Sequence, residues 1–305
     1  MYNIKRVLLC LDLSIMDEAL MKYTAMLTKY MGIEKIYLLH VTEDLELDEE
    51  IVSKYPNLMA PLDESIESVI KDRADKIFEG INVDIEIEAM EGEPFEKVLR
   101  WSKVKEIDLV VMGRKHHLPG SGFLPDKMAQ LLLCSILFVP ENVIAKLDRI
   151  LVPFDFSEFS DQALEQAIYL KNQYGAEVVC QHVYEVPHGY HTTGKSFEDF
   201  AKIMKENAVK KFEKHITNLE NVDLKDIEVE YTLSEKKDLC QLVNHYANQI
   251  DADLIVAGSR GRTPMASLLL GSVAGKLIRH DNNLPLLVVK NKESNMNFFE
   301  ALLNL

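Results

Sequence analysis

Gly258-Ser259-Arg260-Gly261 is followed, nine residues later, by Gly271-Ser272, giving the pattern Gly-x2-Gly-x9-Gly-Ser. The run follows an apolar segment, Asp253 to Ala257, that reads as a buried strand. It precedes Val273 to Arg279, which reads as the opening of a helix. A strand, a glycine-rich loop and a helix start together can form an anion site. Glycines let the backbone approach a phosphate closely. The amides of Val273 and Ala274 have no acceptor within their own helix, so they can point at phosphate oxygens. The spacing is neither the dinucleotide fingerprint nor the Walker loop, and no Gly-Lys-Ser/Thr follows. On its own the pattern also fits an ordinary glycine turn before a capped helix.

The elements that must position this loop come from an internal repeat. Lys5 to Ser14 matches Asp148 to Ser157, aligning Asp12 with Asp155. Tyr37-Leu38-Leu39-His40-Val41 matches Val179-Cys180-Gln181-His182-Val183. Ile107 to Arg114 matches Ala252 to Ser259, aligning Gly113 with Gly258. Ser135 to Val139 matches Pro285 to Val289. Each copy reads as alternating strands and helices, with first-copy strands near 5–11, 36–41, 83–89, 107–112 and 135–139. The fold class is therefore α/β: two tandem open doubly wound parallel sheets, Rossmann-like. Near-continuous apolar strands suit sheets covered on both faces. The middle strands, 83–89 and 227–231, alternate apolar and acidic residues and read as less buried. In such sheets ligands bind beyond the carboxyl ends of strands, which gathers Asp155, Val183 and Gly258 around one crevice.

The chain has 305 residues, 47% of them hydrophobic, and carries a net charge of −15. That balance argues against a nucleic-acid or anionic-membrane surface. Against it, Arg260, Arg262, Lys276 and Arg279 cluster around the glycine loop. The four cysteines, Cys10, Cys134, Cys180 and Cys240, match no metal or CxxC spacing and read as reduced thiols. The absence of a secretory h-region and of a membrane-length apolar run leads to the expectation of a cytoplasmic protein.

With these landmarks in place, both halves resemble universal stress protein domains, and the chain resembles a tandem universal stress protein over nearly its whole length. The resemblance rests on Asp12 and Asp155, His40-Val41 and His182-Val183, and the Gly258/Gly261/Gly271-Ser272 loop. It implies two halves related by a pseudo-twofold, and an adenine-nucleotide site holding ATP with Mg²⁺. By similarity, Pro153, Phe154 and Asp155 line the adenosine, with Asp155 near the ribose or a metal. Val183 meets the adenine through its backbone. Ala257 and Gly258 lie under the ribose and α-phosphate. Gly261, Gly271, Ser272, Val273 and Ala274 hold the phosphates. Arg260 is added from its charge and position. The first half departs from the pattern: Gly113-Arg114-Lys115-His116 lacks the second glycine, and Gly120-Ser121-Gly122 follows too soon.

The expected division is 1–143 as a degenerate first domain, 144–291 as the ATP-binding domain and 292–305 as an amphipathic tail. The expected function is a nucleotide-dependent stress-response module with an unidentified protein partner. A slow ATPase and a non-nucleotide adaptor are the alternatives, and a homodimer is compatible with either. No catalytic constellation is visible. His182, His188 and His191 form a candidate metal cluster, against which stands a local packing role for His182 and solvated positions for the other two. Asp12 is read as a turn residue. The segments 43–72 and 185–205 read as long solvated connections.

Overall fold

The computed structural model describes residues 4–43, 45, 62–114, 123–220, 222–235, 237–261, 270–279 and 283–292. The chain divides into two compact units. One covers Asn3–Lys146 and takes in Asn291 and Lys292; the other is Leu147–Lys290.

The first unit runs β1 (Arg6–Leu11), α1 (Met16–Met31), β2 (Lys35–Thr42), α2 (Leu62–Ile77), β3 (Asp84–Glu91), α3 (Pro94–Val104), β4 (Leu109–Arg114), α4 (Phe123–Leu131) and β5 (Ser135–Pro140). Its strands are parallel in the order β3-β2-β1-β4-β5. Val7, Leu8 and Leu9 of β1 are fully buried, because β1 is central and covered on both faces. Helix α1 buries Leu20, Tyr23, Thr24, Leu27 and Met31, the i, i+3, i+4 stripe facing the sheet. It stops at Gly32, whose φ of 65° is the left-handed conformation that favours glycine. Trp101 of α3 is buried with its ring edge-on to Tyr37 at 5.9 Å, and the Lys105 ammonium lies 4.9 Å from the indole centroid.

The second unit repeats the plan: β6 (Arg149–Pro153), α5 (Glu158–Tyr174), β7 (Glu177–Tyr184), α6 (Phe197–Ile216), β8 (Ile227–Leu233), α7 (Leu239–Gln249), β9 (Leu254–Gly258), α8 (Ser272–Arg279) and β10 (Leu286–Val289). The parallel order is β8-β7-β6-β9-β10. Helix α5 starts in a capping box. The Ser157 hydroxyl accepts from the Ser160 amide, and the Ser160 hydroxyl lies 3.1 Å from the Ser157 amide. It ends at Gly175, again left-handed.

The duplication is legible in small details. Asp108 Oδ2 accepts from the Lys5 and Arg6 amides at 3.0 Å each, tying β4 to the start of β1. Asp253 Oδ2 does the same for Asp148 and Arg149 at 2.8 and 3.1 Å. The acidic middle strands β3 and β8 are sheet edges, which explains their partial exposure.

The segments expected as long solvated connections are shorter than that reading. Helix α2 begins at Leu62 and α6 at Phe197. The start of α6 is fixed by Ser196, whose hydroxyl accepts from the Asp199 amide at 3.1 Å. Ahead of it a 3₁₀ turn, Tyr190–Thr193, packs its Tyr190 ring 5.6 Å from Phe197 and 6.4 Å from Phe200. Residues 46–61 and the tail 293–305 lie outside the described residues.

All four cysteines are free thiols. Burial pushes the Cys10 thiol up to about 12 and raises Cys180 further, so neither is a thiolate at neutral pH. Among the described residues no helix is long and apolar enough to cross a membrane.

Candidate functional site

The order β8-β7-β6-β9-β10 reverses direction of winding between β6 and β9. Their carboxyl ends therefore open a crevice between the helices that follow them. The chain leaves β6 through Phe154, Asp155 and Phe156. Phe156 sits at φ 65°, a left-handed conformation rare for a bulky residue. Four hydrogen bonds hold the corner. Asp155 Oδ1 accepts from the Ser157 amide at 3.1 Å and the Ser157 hydroxyl at 2.6 Å. The Phe154 amide donates to the Gln181 carbonyl at 2.9 Å. His182 Nδ1 lies 2.8 Å from the Phe154 carbonyl. A carbonyl only accepts, so that nitrogen carries the proton. The His182 ring also packs on Phe156 at 4.5 Å.

The first unit keeps the same corner. Leu13 has φ 63°, Asp12 Oδ1 accepts from the Ser14 amide at 3.1 Å, and His40 Nδ1 meets the Leu11 carbonyl at 3.1 Å. Asp12 is thus the turn residue it was expected to be, and Asp155 makes the identical turn. The histidines at the strand ends are corner braces. His188 and His191 are exposed, and among the described residues no three His, Cys, Asp or Glu side chains converge to hold a metal ion.

The glycines have three separate reasons to be glycine. A Cβ on Gly258 would stand 2.5 Å from the Phe159 carbonyl oxygen, so β9 can lie this close to α5 only without a side chain. A Cβ on Gly261 would stand 2.8 Å from Asp155 Oδ2. A Cβ on Gly271 would stand 3.0 Å from the Arg260 Cα. The Gly271 amide donates to the Ser259 carbonyl at 2.8 Å, drawing the two ends of the loop together. The Gly275 amide donates to the Gly271 carbonyl at 2.9 Å, which begins α8. By helix geometry the amides of Ser272, Val273 and Ala274 then have no acceptor inside α8, the arrangement that suits a bound anion.

The basic residues are less free than their clustering in the sequence suggests. Lys276 is paired with Asp238. Arg262 lies outside the described residues. Arg260 places its guanidinium 5.2 Å from the Phe159 ring centroid. Burial lowers its pKa and Glu158 opposes that, yet an arginine remains a cation.

Asp238 also caps α7, accepting from the Cys240 amide at 2.9 Å. Lys276 holds its carboxyl below the ordinary aspartate range, against a smaller effect of burial. A depressed folded pKa stabilises above the unfolded value, and the gain is lost as pH falls through the folded one. Asp238→Ala should therefore cost about 1 kcal/mol at neutral pH. The difference from the unsubstituted chain should shrink in acid, as urea melts at the two pH values will read.

All twelve residues singled out from the sequence line one cavity of about 460 Å³: Pro153, Phe154, Asp155, Val183, Ala257, Gly258, Arg260, Gly261, Gly271, Ser272, Val273 and Ala274. That volume is within the range of small-molecule sites. Phe154 belongs to the wall from its core side; its ring is 3% exposed and packs edge-on to Phe212 at 5.2 Å. Four further residues line the cavity and were missed: Ser160, Gln181, Leu239 and Val243. Leu239 and Val243 are one helical turn apart on α7. Gln181 had a signal, being a polar residue inside an apolar strand where the other repeat has Leu39.

The universal stress protein family model matches the chain twice, over residues 3–137 and 146–290. The chain belongs to the universal stress protein family. It carries two such domains in tandem. The universal stress protein MJ0577 of Methanocaldococcus jannaschii is 30% identical over 161 residues, spanning 48% of this chain and 96% of that protein. MJ0531 of the same organism is 34% identical over 173 residues, or 52% of this chain and 89% of that protein. Each relative thus spans about half of the tandem chain. Among solved structures, a universal stress protein from Archaeoglobus fulgidus superposes with a TM-score of 0.55 at 20% identity, covering 95% of this chain and 97% of its own. A Pseudomonas aeruginosa protein of unknown function gives 0.62 at 13% identity, covering 98% and 96%. At these identities the likeness speaks for the fold. The equivalent loop of the first universal stress protein domain, with Lys115, His116, His117, Gly120, Ser121 and Gly122, lies outside the described residues.

Proposed function

We propose that the second universal stress protein domain binds ATP with Mg²⁺, and that nucleotide occupancy sets the state in which the protein meets a partner. The observation that carries this reading is a single cavity with two kinds of lining. Val183, Leu239 and Val243 supply apolar wall that suits a base. Gly261, Gly271 and the first residues of α8 supply backbone that suits phosphates. Asp155 lies at the cavity wall within reach of Gly261, where a ribose hydroxyl or a phosphate-bound Mg²⁺ would find a carboxylate oxygen.

Turnover is not favoured. Phosphoryl transfer needs a positioned water and charge stabilisation at the γ-phosphate. Asp155 is the carboxylate among the cavity residues, and its Oδ1 already accepts from Ser157. The expectation is binding with little phosphate release. A sensor of this kind requires ATP to prefer one of two protein states.

Titration calorimetry with Mg-ATP tests the reading. One site per chain supports an occupied second domain beside a silent first one. Two sites overturn the silence of the first domain. No binding overturns the nucleotide reading and favours the adaptor. Gly113→Val, in the first unit, should leave the ATP affinity unchanged. The added Cβ meets the Met16 side chain, 2.5 Å from its Cγ, so the clash falls inside the first unit and away from the cavity residues. A large loss of affinity there would put nucleotide in the wrong half.

A further inference from the structure

Gln181 is a buried amide on a strand where the matching position of the other repeat is Leu39. It is 1% exposed and lines the cavity from β7, on the same face of the strand as Val183. Its Nε2 lies 3.0 Å from Thr232 Oγ1 and 3.4 Å from the Leu242 carbonyl. The Leu242 oxygen can only accept, so the amide nitrogen must face it. Thr232 in turn directs its hydroxyl toward Glu230 Oε1 at 3.4 Å, leaving a lone pair for Gln181. The chain Glu230–Thr232–Gln181 thereby settles which end of the amide is which. Gln181 Oε1 is left buried and, among the described residues, accepts no hydrogen bond. A buried acceptor without a donor is costly, and a leucine would avoid that cost.

We infer that Gln181 reads the base: its Oε1 accepts a hydrogen bond from the exocyclic amino group of adenine and disfavours a purine carrying oxygen at that position. This rests on the nucleotide reading of the cavity. A 6-oxo purine would set one acceptor against another, leaving both unpaired away from water. Asymmetry between the repeats fits this reading, since the first domain keeps the corner and the histidine brace but has an apolar side chain here.

The test is calorimetry with Mg-ATP and Mg-ITP, which differ at the 6-position, on the full chain and on Gln181→Leu. The full chain should prefer ATP by ~10- to 100-fold. Gln181→Leu should lose most of its ATP affinity advantage while its ITP affinity stays within a few-fold, so the two nucleotides converge. Parallel loss of both would overturn the inference and make Gln181 a packing residue, and so would equal affinities in the unsubstituted chain. Binding of neither nucleotide by the unsubstituted chain would overturn the nucleotide reading itself, before any variant is measured. Should Gln181→Leu lower the melting temperature sharply, Thr232→Val supplies the second measurement. It leaves Gln181 in place and removes one of the two acceptors that orient it. It should narrow the ATP-to-ITP ratio by a smaller factor; an unchanged ratio in that variant would overturn the orienting role and the inference with it.

Discussion

Gly261→Val should abolish the proposed ATP binding, lowering affinity by about two orders of magnitude or more, while the second unit melts within a few degrees of the unsubstituted chain. The reason is local. A Cβ at this position falls 2.8 Å from Asp155 Oδ2, closer than real Cβ contacts come, and valine adds two methyl groups beyond it. Either the loop withdraws from the carboxylate or the carboxylate leaves its place. Asp155 is held by Ser157 at the α5 start, so the loop is the part that yields. Withdrawal carries Gly261 away from Gly271 and the α8 amides, and a phosphate loses its cradle. The core is untouched, because Gly261 lies on the cavity and not beneath it. Calorimetry gives the affinity and a thermal melt gives the fold. Retained affinity would remove the phosphates from this loop.

Gly258→Ala acts on stability. The added Cβ is placed 2.5 Å from the Phe159 carbonyl oxygen and 2.6 Å from its carbon, both backbone atoms of α5. No rotamer change relieves a clash with backbone, so β9 and α5 must separate. Overpacking of this kind costs about 3 kcal/mol. The matched substitution Gly113→Ala is the control. There the neighbour is a methionine side chain, and the expected cost is about 1 kcal/mol. Urea denaturation followed by circular dichroism measures both. Equal costs would mean that the strand-to-helix approach is no tighter in the second repeat than in the first.

Much of this was legible in the sequence because it is periodic or doubled. The strand run at 7–11, the helical stripe of α1 and the repeat of Asp12 in Asp155 each announce an element through local pattern. The twelve residues singled out converge on one cavity because doubly wound topology fixes where strands end, and sequence shows which strands those are. What was not legible depends on neighbours distant in the chain. The pairing of Lys276 with Asp238 joins two helices that no local pattern connects, so the basic cluster looked freer than it is. Leu239 and Val243 are ordinary helix residues until α7 is seen beside the cavity. The identical turn made by Asp12 and Asp155 shows the opposite limit: one local geometry serves both repeats and does not by itself mark which of them carries the cavity.

Trp101 is the single tryptophan of the chain, and it belongs to the first unit, against Tyr37 and Lys105. The protein therefore carries a built-in optical reporter for one half. Unfolding traced by indole emission follows the first repeat alone, whereas circular dichroism sums both. For Gly258→Ala the dichroism transition should move; an emission transition that stays means the repeats unfold separately, and one that moves with it means they unfold together. The same reporter turns a nucleotide titration into a test of communication. Emission that stays constant as the second repeat fills means that the halves act separately. Emission that changes in step with occupancy means that the first repeat senses what the second one holds.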